Sequence, residues 1–305
     1  MDTPKRRGHL VTERRNPHSE DLDCKSVGEI LALINDEDAT VANSVRVALP
    51  QIAAFVEGVV RSFRAGGRLI YVGAGTSGRL GVLDTSECPP TFSVDPELVR
   101  GVIAGGAEAL TRSVEGAEDN PADGRDALIS LGPTNRDSVL GIAAGGTTPY
   151  VHGALAYARE VGAFTGFLLC IASDGYDEIA DVLIPVVVGP EVITGSTRMK
   201  AGTATKLVLN MITTTAMVQI NKTYGNIMVD LKALNDKLWD RGSRIVSEIA
   251  ELPYEDALQL LQEAGGEVKT ALVMAQTGRD ARESARLLAA TDGALRKLLE
   301  KATGP

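Results

Sequence analysis

The sequence predicts an α/β fold in which a parallel sheet is covered by helices on both faces. Five short apolar runs alternate with segments of helical periodicity, which is the pattern of repeated βαβ units. The runs are largely apolar throughout rather than at every second position, as in strands that are buried on both faces. Glycine accounts for 32 of the 305 residues and aromatic residues for only 4%, which suits tight strand-to-helix turns around small side chains.

The segment before the first strand is predicted to begin extended and to continue as helix. Residues 1–25 are polar and contain two prolines. Apolar residues at helical spacing then cover 26–64, and Pro50 is expected to bend or break this helix. Glycines at 66–67 end it.

Strands and helices are then predicted to alternate along the chain. The first helix of this series is expected to be closed by Pro89 and Pro90, because proline interrupts helical hydrogen bonding. The predicted strands are 68–75, 99–105, 137–145, 166–173 and 182–189, and the predicted helices are 78–85, 107–115, 149–161 and 202–220.

The sequence after Trp239 carries no further strand signal. Apolar residues at helical spacing, separated by glycines, predict three or four short helices there. The predicted organisation is therefore an N-terminal segment with helices that pack on the core at 1–65, a sheet domain at 66–240 and a small helical domain at 241–305.

The charge balance argues against several classes of partner. Lys and Arg number 31 against 40 Asp and Glu, which gives a net charge of −9. We therefore expect no nucleic acid bound through a basic surface and no binding to an anionic membrane. The longest apolar run, 182–188, is far shorter than the ~20 residues that span a bilayer. The first residues lack the apolar core of a secretory signal, so we expect a cytoplasmic protein.

Cysteine and histidine form no recognisable metal or redox motif. Cys24, Cys88 and Cys170 are widely spaced, which predicts neither a disulfide framework nor a metal site and is typical of a reducing cytoplasm. The histidines, His9, His18 and His152, are equally scattered. We expect a reaction that needs no metal ion and no cofactor.

The first of three glycine–hydroxyl loops, GAGTSGR at 73–79, follows the first predicted strand. It satisfies the GxGxxG pattern of dinucleotide-binding proteins, but Asp95, the acidic residue at the expected distance, precedes the second strand instead of ending it. The hydroxyls of Thr76 and Ser77 at a helix N-terminus suit a phosphate monoester. A tight turn that merely needs glycine is an equally good interpretation of this loop alone.

The other two loops also precede predicted helices. In GGTTP at 145–149, Pro149 begins the helix and leaves its first amides free for an anion, although a simple helix cap is the more direct interpretation. The stretch GSTRMKAGT at 195–203 combines two hydroxyls with Arg198 and Lys200. It is the part of the chain where groups that can bind an anion are most concentrated. A solvated cap with surface cations is the alternative.

Two glutamates are expected near the carboxyl edge of the sheet, where open α/β sheets bind ligands. Glu87 comes shortly after the first loop, and Glu118 follows the second predicted strand. A pair of carboxylates can divide the roles of acid and base when their surroundings separate their pKa values. Because the chain has 40 acidic residues, an ordinary surface position is the alternative for each.

Four longer stretches make the chain similar to a known family. IYVGAGTSGRLGVLDTSECPPTF, VEGAEDN, EVITGSTRMKAGTATKLVLNM and YGNIMVDL closely resemble the N-acetylmuramic acid 6-phosphate etherases of bacteria, within the sugar-isomerase (SIS) superfamily. The likeness extends from about Val11 to the helical end. It implies an SIS-type five-stranded parallel sheet with flanking helices, a small C-terminal helical (UBA-like) domain and a homodimer.

The resemblance also implies a reaction and its residues. The reaction is cleavage of the D-lactyl ether of N-acetylmuramic acid 6-phosphate to N-acetylglucosamine 6-phosphate and D-lactate, in the recycling of peptidoglycan sugars. The family's catalytic glutamates fall on Glu87 and Glu118. We expect Glu87 to protonate the departing lactate and Glu118 to remove the C2 proton, and the reverse assignment stays open. The phosphorylated amino sugar is expected to bind at Thr76, Ser77, Gly78, Thr148, Ser196 and Thr197.

The second loop departs from the family pattern. The family usually has Ala-Ser-Gly-Arg-Thr-Pro-Tyr, whereas this chain has AGGTTPY at 144–150, so a serine hydroxyl and an arginine are absent. Backbone amides and Thr147 or Thr148 are the groups that could replace their contacts.

Two other functions stay open at the level of the sequence. One is a non-catalytic phosphosugar-binding regulator, although relatives of that kind carry two SIS domains in a longer chain. The other is a phosphosugar isomerase on the same fold, which also removes a proton from C2. The presence of both Glu87 and Glu118 favours the etherase over the regulator.

Overall fold

A computed structural model of the chain describes residue 8 and residues 10–301, with the side chains of 300 and 301 left out. The predicted extended start at 1–7, His9 and the last residues, 302–305, lie outside the described residues. Between Leu10 and Ser26, where an extended chain was expected, the structure has three short 3-10 helices at Val11–Glu13, Pro17–Ser19 and Leu22–Cys24.

The described helices and strands follow one another in the alternation that the sequence predicts. The helices are α1 (Val27–Ala39), α2 (Val41–Val47), α3 (Leu49–Arg64), α4 (Gly75–Phe92), α5 (Pro121–Leu131), α6 (Pro149–Glu160), α7 (Lys200–Gln219), α8 (Asp236–Ala250), α9 (Tyr254–Glu263), α10 (Val268–Thr277), α11 (Ala281–Ala290) and α12 (Leu295–Lys301). The strands are β1 (Leu69–Gly73), β2 (Val99–Ile103), β3 (Ser138–Ile142), β4 (Phe164–Leu169), β5 (Val182–Pro185), β6 (Thr223–Tyr224) and β7 (Ile227–Met228).

The main sheet has five strands in the order β2-β1-β3-β4-β5, and every neighbouring pair is parallel. The predicted five-stranded parallel sheet is therefore confirmed. Every residue of β1 and β3 is buried, which explains why these strands are apolar runs. The chain reverses its direction of winding between β1 and β3, and the carboxyl ends of such neighbours form the usual ligand crevice of an open α/β sheet.

The expected break at Pro50 is confirmed, and the predicted first helix is divided into α1, α2 and α3. Pro50 lies in the first turn of α3, where the missing proline N–H has no helical partner to lose. Helix α1 begins at a capping box, in which Ser26 and Glu29 bind each other's backbone N–H groups. Helix α3 packs on the sheet through Phe55, whose ring stacks on Phe164 with 5.6 Å between centroids.

Beyond the N-terminal segment, the structure differs from the predicted elements at four places, one of which is the short β6–β7 hairpin, for which no strand was predicted. Helix α4 does not stop before Pro89 and Pro90 but includes both and ends at Phe92. The predicted helix at 107–115 is only a 3-10 helix, Gly106–Leu110, and α5 occupies a segment for which no helix was predicted. The ends of α5 nevertheless carry clear signals, since Asn120 caps its first turn and Gly132 ends it with a φ of 56°.

The described chain divides into two compact units. The first contains the residues up to 86 together with 96–213, and the second contains 87–95 together with the residues from 214 onwards. The core of the first unit surrounds the sheet, with Val72, Val139, Val151 and Phe167 among its buried members.

The second unit holds the short β6–β7 hairpin and the helices α8–α12. Its core is formed mainly by apolar faces of these helices, with Val246, Leu261 and Leu272 fully or almost fully buried. The short helices predicted after Trp239 are thus present.

Among the described residues, no single helix has the length and apolar character needed to cross a membrane. One pair, Val27–Val47 with Leu49–Arg64, meets that requirement only when its two parts are taken together, and these are bent by 60° to each other.

Candidate active site

The first glycine–hydroxyl loop connects β1 directly to α4. Gly73 ends the strand and the helix begins at Gly75, which has a φ of +52°. A Cβ on Gly78 would lie 2.8 Å from the carbonyl oxygen of Gly73 and 2.6 Å from Cγ1 of Ile103. Glycine is therefore required at position 78 because the strand end and the first helical turn are in direct contact.

The hydroxyls of Thr76 and Ser77 lie in the first turn of α4, and both residues are half-buried. In this turn the backbone N–H groups have no helical acceptor, and the helix dipole favours a negative charge. The position agrees with the expectation that this loop meets a phosphate group.

The third loop lies next to the first. Gly195 has a φ of +77°, and the loop then turns through hydrogen bonds from Ser196 N to Ile193 O and from Thr197 N to Gly195 O, at 2.9 and 3.0 Å. A Cβ on Gly202, in the first turn of α7, would lie 3.4 Å from Cγ2 of Thr76. The start of α7 thus packs directly against the first turn of α4.

Asp84, which lies further along α4 than the first loop, joins α4 to α7 through hydrogen bonds. Its carboxylate accepts hydrogen bonds from Asn210 Nδ2 at 2.6 Å, from Tyr71 at 3.2 Å and from Thr213 at 3.3 Å. Burial raises the pKa of Asp84, and the three donors only partly oppose that shift. The contact with Asn210 fixes the spacing of the two helices whose first turns carry the hydroxyls.

Lys200 is not a free cation of the third loop, as its sequence context had suggested. The residue is 3% exposed, and its ammonium group forms an ion pair with Glu37 of α1. Glu37 also contacts His18 Nδ1 at 2.7 Å. Burial alone would raise the pKa of Glu37, but the contacts with His18 and Lys200 outweigh it and lower that pKa.

Glu191 is a residue of this region that the sequence analysis missed. Its carboxylate is fully buried and accepts hydrogen bonds from the backbone N–H groups of Lys200 and Ala201, both at 2.9 Å. Burial raises its pKa in spite of these donors. Glu191 occupies the first amides of α7, so an anion bound by the third loop would meet the hydroxyls of Ser196 and Thr197 rather than these amides.

The second loop leads from β3 into α6. Thr148 is the N-cap residue of α6, in an extended conformation, but its side chain makes no capping hydrogen bond. Its hydroxyl is therefore not committed to the helix. Gly146 has a φ of +71°, and its carbonyl oxygen contacts His152 Nε2 at 2.7 Å.

The N-terminal segment touches both the second and the third loop. Thr12 is 1% exposed, and its carbonyl oxygen accepts a hydrogen bond of 3.1 Å from Gly195 N. A Cβ on Gly145 would lie 3.7 Å from the hydroxyl of Thr12. The carboxylate of Glu13 lies 3.3 Å from the position of a Cβ on Gly195. The sequence analysis, which described residues 1–25 only as polar, did not predict this contact.

Glu118 lines a cavity of about 260 Å³ that it shares with the first loop. Gly75 and Arg79 line the same cavity. The Arg79 guanidinium is held in place because it donates to the carbonyl oxygens of Ala109 and Arg112, at 2.9 and 3.0 Å. The structure thus places Glu118 beside the loop that carries Thr76 and Ser77.

The backbone of Glu118 is anchored to α6, since its carbonyl oxygen accepts a hydrogen bond of 3.1 Å from Tyr150 N. Burial raises the pKa of the Tyr150 phenol to about 12, so this phenol stays neutral near neutral pH. The Glu118 side chain is half-buried and lines the cavity together with two exposed carboxylates, those of Glu115 and Asp119.

Glu87 lies in the second half of α4 and is exposed. It belongs to the segment 87–95, which is part of the second unit, whereas Glu118 belongs to the first. The pairing of these two carboxylates therefore stays a prediction. Within the described residues, no group of three or more His, Cys, Asp or Glu side chains is arranged to hold a metal ion.

Comparison with known proteins supports the resemblance seen in the sequence. A family model described as the glucokinase regulatory protein N-terminal SIS domain matches residues 51–159. The N-acetylmuramic acid 6-phosphate etherase of Gloeobacter violaceus is 53% identical over 298 residues, which cover 98% of this chain and 97% of that protein. The protein of the same name from Salinibacter ruber is 54% identical over 292 residues, which cover 95% and 94%.

Among solved structures, a protein of E. coli CFT073 matches with 14% identity and a TM-score of 0.47, over 66% of this chain and 97% of that one. The two etherases are relatives over nearly the full length of the chain, at an identity far above what a shared fold alone would produce. The chain therefore belongs to the N-acetylmuramic acid 6-phosphate etherase family.

Proposed function

We propose that this protein cleaves the D-lactyl ether of N-acetylmuramic acid 6-phosphate and produces N-acetylglucosamine 6-phosphate and D-lactate. Relatives that are 53% and 54% identical over nearly the whole chain carry the name of this etherase. The structural observation that carries the proposal is the cavity that Glu118 shares with Gly75 of the first loop. The regulator and isomerase alternatives are not favoured, since relatives at this identity are named etherases.

The phosphate group is proposed to bind between the first and third loops. The phosphate oxygens would accept hydrogen bonds from the hydroxyls of Thr76 and Ser77 in the first turn of α4. They would also accept hydrogen bonds from the hydroxyls of Ser196 and Thr197 in the third loop. The close approach of Gly202 to Thr76 supports this arrangement, because it brings the two loops together. Hydroxyls and helix N-terminal amides can hold a phosphate without a paired cation, which agrees with the burial of Lys200 against Glu37.

The proposed chemistry is an elimination followed by an addition. In the open-chain sugar the C1 aldehyde acidifies the C2 proton, which Glu118 takes as general base. The C3–O bond then breaks, and the lactate oxygen receives a proton from Glu87. In the second step water adds to C3, Glu87 takes a proton from that water, and Glu118 returns its proton to C2. Both carboxyl groups thereby regain their starting states.

The roles of the two glutamates can be tested with isosteric variants. We expect Glu118→Gln and Glu87→Gln to lose D-lactate release by about 10²-fold or more. Glu115→Gln is the matched control for Glu118, because Glu115 lines the same cavity. Glu57→Gln, on the exposed surface of α3, is the control for Glu87. Full activity in either active-site variant would remove that residue from the mechanism.

The order of the steps can be tested with an isotope. In heavy water, N-acetylglucosamine 6-phosphate is expected to carry deuterium at C2, because the proton that Glu118 removes exchanges with solvent on the carboxyl group before Glu118 protonates C2. Release of D-lactate with no deuterium at C2 would contradict the elimination route. Binding of the substrate without turnover would instead indicate a regulator, and ketose formation without D-lactate an isomerase.

The proposal also includes a homodimer in the cytoplasm, as the family resemblance implies. Sedimentation equilibrium of the purified chain tests the first part, and twice the monomer mass of 32.1 kDa is the expected result. Cell fractionation of the source organism tests the second part.

A further inference from the structure

A second cavity lies entirely within the residues of the second unit. Its volume is about 480 Å³, within the usual range for sites that bind small molecules. Two lysines, Lys222 and Lys269, line it together with the carboxylate of Asp230. Apolar side chains form the rest of the inner wall, among them Ile220, Val229, Leu231, Val268 and Leu288.

The whole lining of this cavity is balanced in charge, with three lysines and three carboxylates, but its inner part has two lysines and one carboxylate. Lys269 is 8% exposed, and its ammonium donates to Asp230 at 3.0 Å and to the carbonyl oxygen of Asn221 at 2.6 Å. Lys222 pairs with the same Asp230 oxygen at 2.9 Å. One carboxylate thus forms ion pairs with two ammonium groups. The other charged residues of the wall, Lys232, Glu267 and Asp292, are exposed at its rim.

The ammonium groups retain hydrogen-bonding capacity. Each carries three N–H donors, and the structure gives two acceptors to Lys269 and one to Lys222. Burial lowers the pKa of Lys269, and Asp230 opposes that shift only in part. A buried cation without full compensation is unfavourable, so an added anion would stabilise it.

The first turn of α10 contributes further donors to the same wall. Val268, Lys269 and Thr270 form this turn and line the cavity. Glu267, the residue before the helix, makes no side-chain capping hydrogen bond and instead accepts one from the hydroxyl of Thr270 at 3.1 Å. The first amide of α10, Val268 N–H, already donates to the carbonyl oxygen of Leu231 at 3.2 Å. The next N–H groups of this turn, those of Lys269 and Thr270, have no side-chain cap and lie in a position that favours an anion.

The backbone around this cavity is held in an uncommon conformation. In the described part of the chain four residues other than glycine have a left-handed backbone, and three of them, Ser93, Asn221 and Asp292, lie in or beside the wall. Asn221 also donates from its side chain to the carbonyl oxygen of Asp292 at 3.2 Å. Such conformations persist only where the surroundings impose them, and they are concentrated at binding sites.

We propose that the cavity between Lys222 and Lys269 is a second ligand site, which binds a small organic anion. The ligand carries a carboxylate or phosphate group that accepts hydrogen bonds from the two ammonium groups and from the backbone N–H groups of Lys269 and Thr270. Its remaining part is compact and lies against the apolar wall. The residues that line this cavity belong to the second unit, and the three glycine–hydroxyl loops belong to the first.

Binding can be measured in the full chain with inorganic phosphate and D-lactate as the two probes. Calorimetry is expected to show saturable binding of at least one probe, with a Kd of about 1 mM or tighter. Binding of phosphate would identify a phosphoryl group as the ligand's anion, and binding of D-lactate a carboxylate. The absence of binding by both probes would overturn the proposal.

The position of the bound probe can be tested without any substitution. In nuclear magnetic resonance spectra of the wild-type protein, the backbone amide signals of Val268, Lys269 and Thr270 are expected to shift with the same Kd as the heat signal. Trp239 is the single tryptophan and packs against Gly266, so its fluorescence provides a second readout in this unit. Heat of binding without shifts at 268–270 would contradict the proposal.

Matched variants separate this site from the proposed catalytic one. Lys222→Gln is expected to weaken probe binding by about tenfold or more, while Lys297→Gln, an exposed lysine of the same unit, leaves it unchanged. The double variant Ser196→Ala/Thr197→Ala removes hydroxyls of the proposed catalytic phosphate site. It is expected to weaken phosphate binding there and to leave the probe-induced shifts of the amide signals at 268–270 unchanged. Binding that is lost in this double variant but kept in Lys222→Gln would overturn the second site and support the first.

Discussion

The ammonium group of Lys200 forms an ion pair with the carboxylate of Glu37 across a sequence separation of 163 residues. The pair joins the start of α7 to α1, and both side chains are almost fully buried. Because the backbone N–H of Lys200 is also bound by Glu191 at 2.9 Å, the end of the third loop is fixed from two directions. The loop that presents Ser196 and Thr197 thus depends on two acidic residues that touch neither of these hydroxyls in the described contacts.

Removal of the Glu37 carboxylate is expected to destabilise the protein strongly. Glu37→Gln leaves the buried ammonium of Lys200 without its ion-pair partner, which costs about 3–5 kcal/mol. The double variant Glu37→Gln/Lys200→Met removes both charges and should recover much of that loss. Denaturant unfolding of the three proteins checks this expectation, and equal stability of the single and double variants would contradict it.

The contact between β1 and α4 is expected to tolerate no side chain at Gly78. Gly78→Ala places a methyl group 2.8 Å from the carbonyl oxygen of Gly73, and the displacement of the loop should cost about 1–3 kcal/mol. Substrate KM should rise as well, because Thr76 and Ser77 move with the loop. Gly28→Ala is the control, since a Cβ there meets nothing within 4 Å and alanine favours a helix by up to about 1 kcal/mol. Equal unfolding temperatures for the two variants would refute the argument.

The stability of the sheet is expected to depend on pH through Asp137. Its carboxylate accepts hydrogen bonds from the backbone N–H groups of Arg68 and Thr134, each at 2.7 Å, and it pairs with the Arg68 guanidinium. Burial would raise the pKa of Asp137, but these contacts outweigh it and hold the pKa below the ordinary value of 3.8. The stabilisation is therefore complete above that value and is lost as pH falls through the lowered pKa.

This dependence can be measured by comparing the wild type with Asp137→Asn. The variant should unfold at a lower temperature near neutral pH, by a margin that stays constant down to about pH 5 and narrows toward about pH 3. Asp177→Asn, on the exposed surface, is the control and should follow the wild type throughout. A difference in unfolding temperature that grows as the solution becomes more acidic would show that folding raises the pKa of Asp137 instead of lowering it.

Restoring the serine that the family pattern has at position 145 is expected to strengthen substrate binding. A Cβ on Gly145 would make only ordinary contacts, at 3.7 Å from the Thr12 hydroxyl and 3.8 Å from Leu10, so Gly145→Ser should fold normally. The added hydroxyl supplies one donor beside Thr148, and KM should fall by about threefold with kcat little changed. Thr148→Ala is the opposing variant, and it should raise KM without loss of stability, because Thr148 makes no capping bond. An unchanged KM in both variants would show that the second loop does not contact the substrate.

Much of the fold followed from the sequence because its causes are local. The apolar runs that became β1–β5 and the glycines at 73, 75 and 78 that close the first turn act on neighbouring residues, and Pro50 lies in the first turn of α3, just after the break that ends α2. The end of α4 did not follow, since Pro89 and Pro90 lie inside the helix. Helix α5 was missed although its own ends carry the signals, Asn120 as cap and Gly132 in a left-handed conformation.

The sequence by itself determined the five strands of the main sheet, the three glycine–hydroxyl loops and the family, through motifs whose residues are close together in the chain. The tertiary structure decided which of these residues are free to contact a ligand and which are bound by other parts of the chain. It paired Lys200 with Glu37, placed Thr12 against the second and third loops, and gave Glu118 a cavity in common with Gly75. These relationships join segments far apart in the sequence, and no local periodicity or turn preference encodes a contact that exists only once the chain is packed.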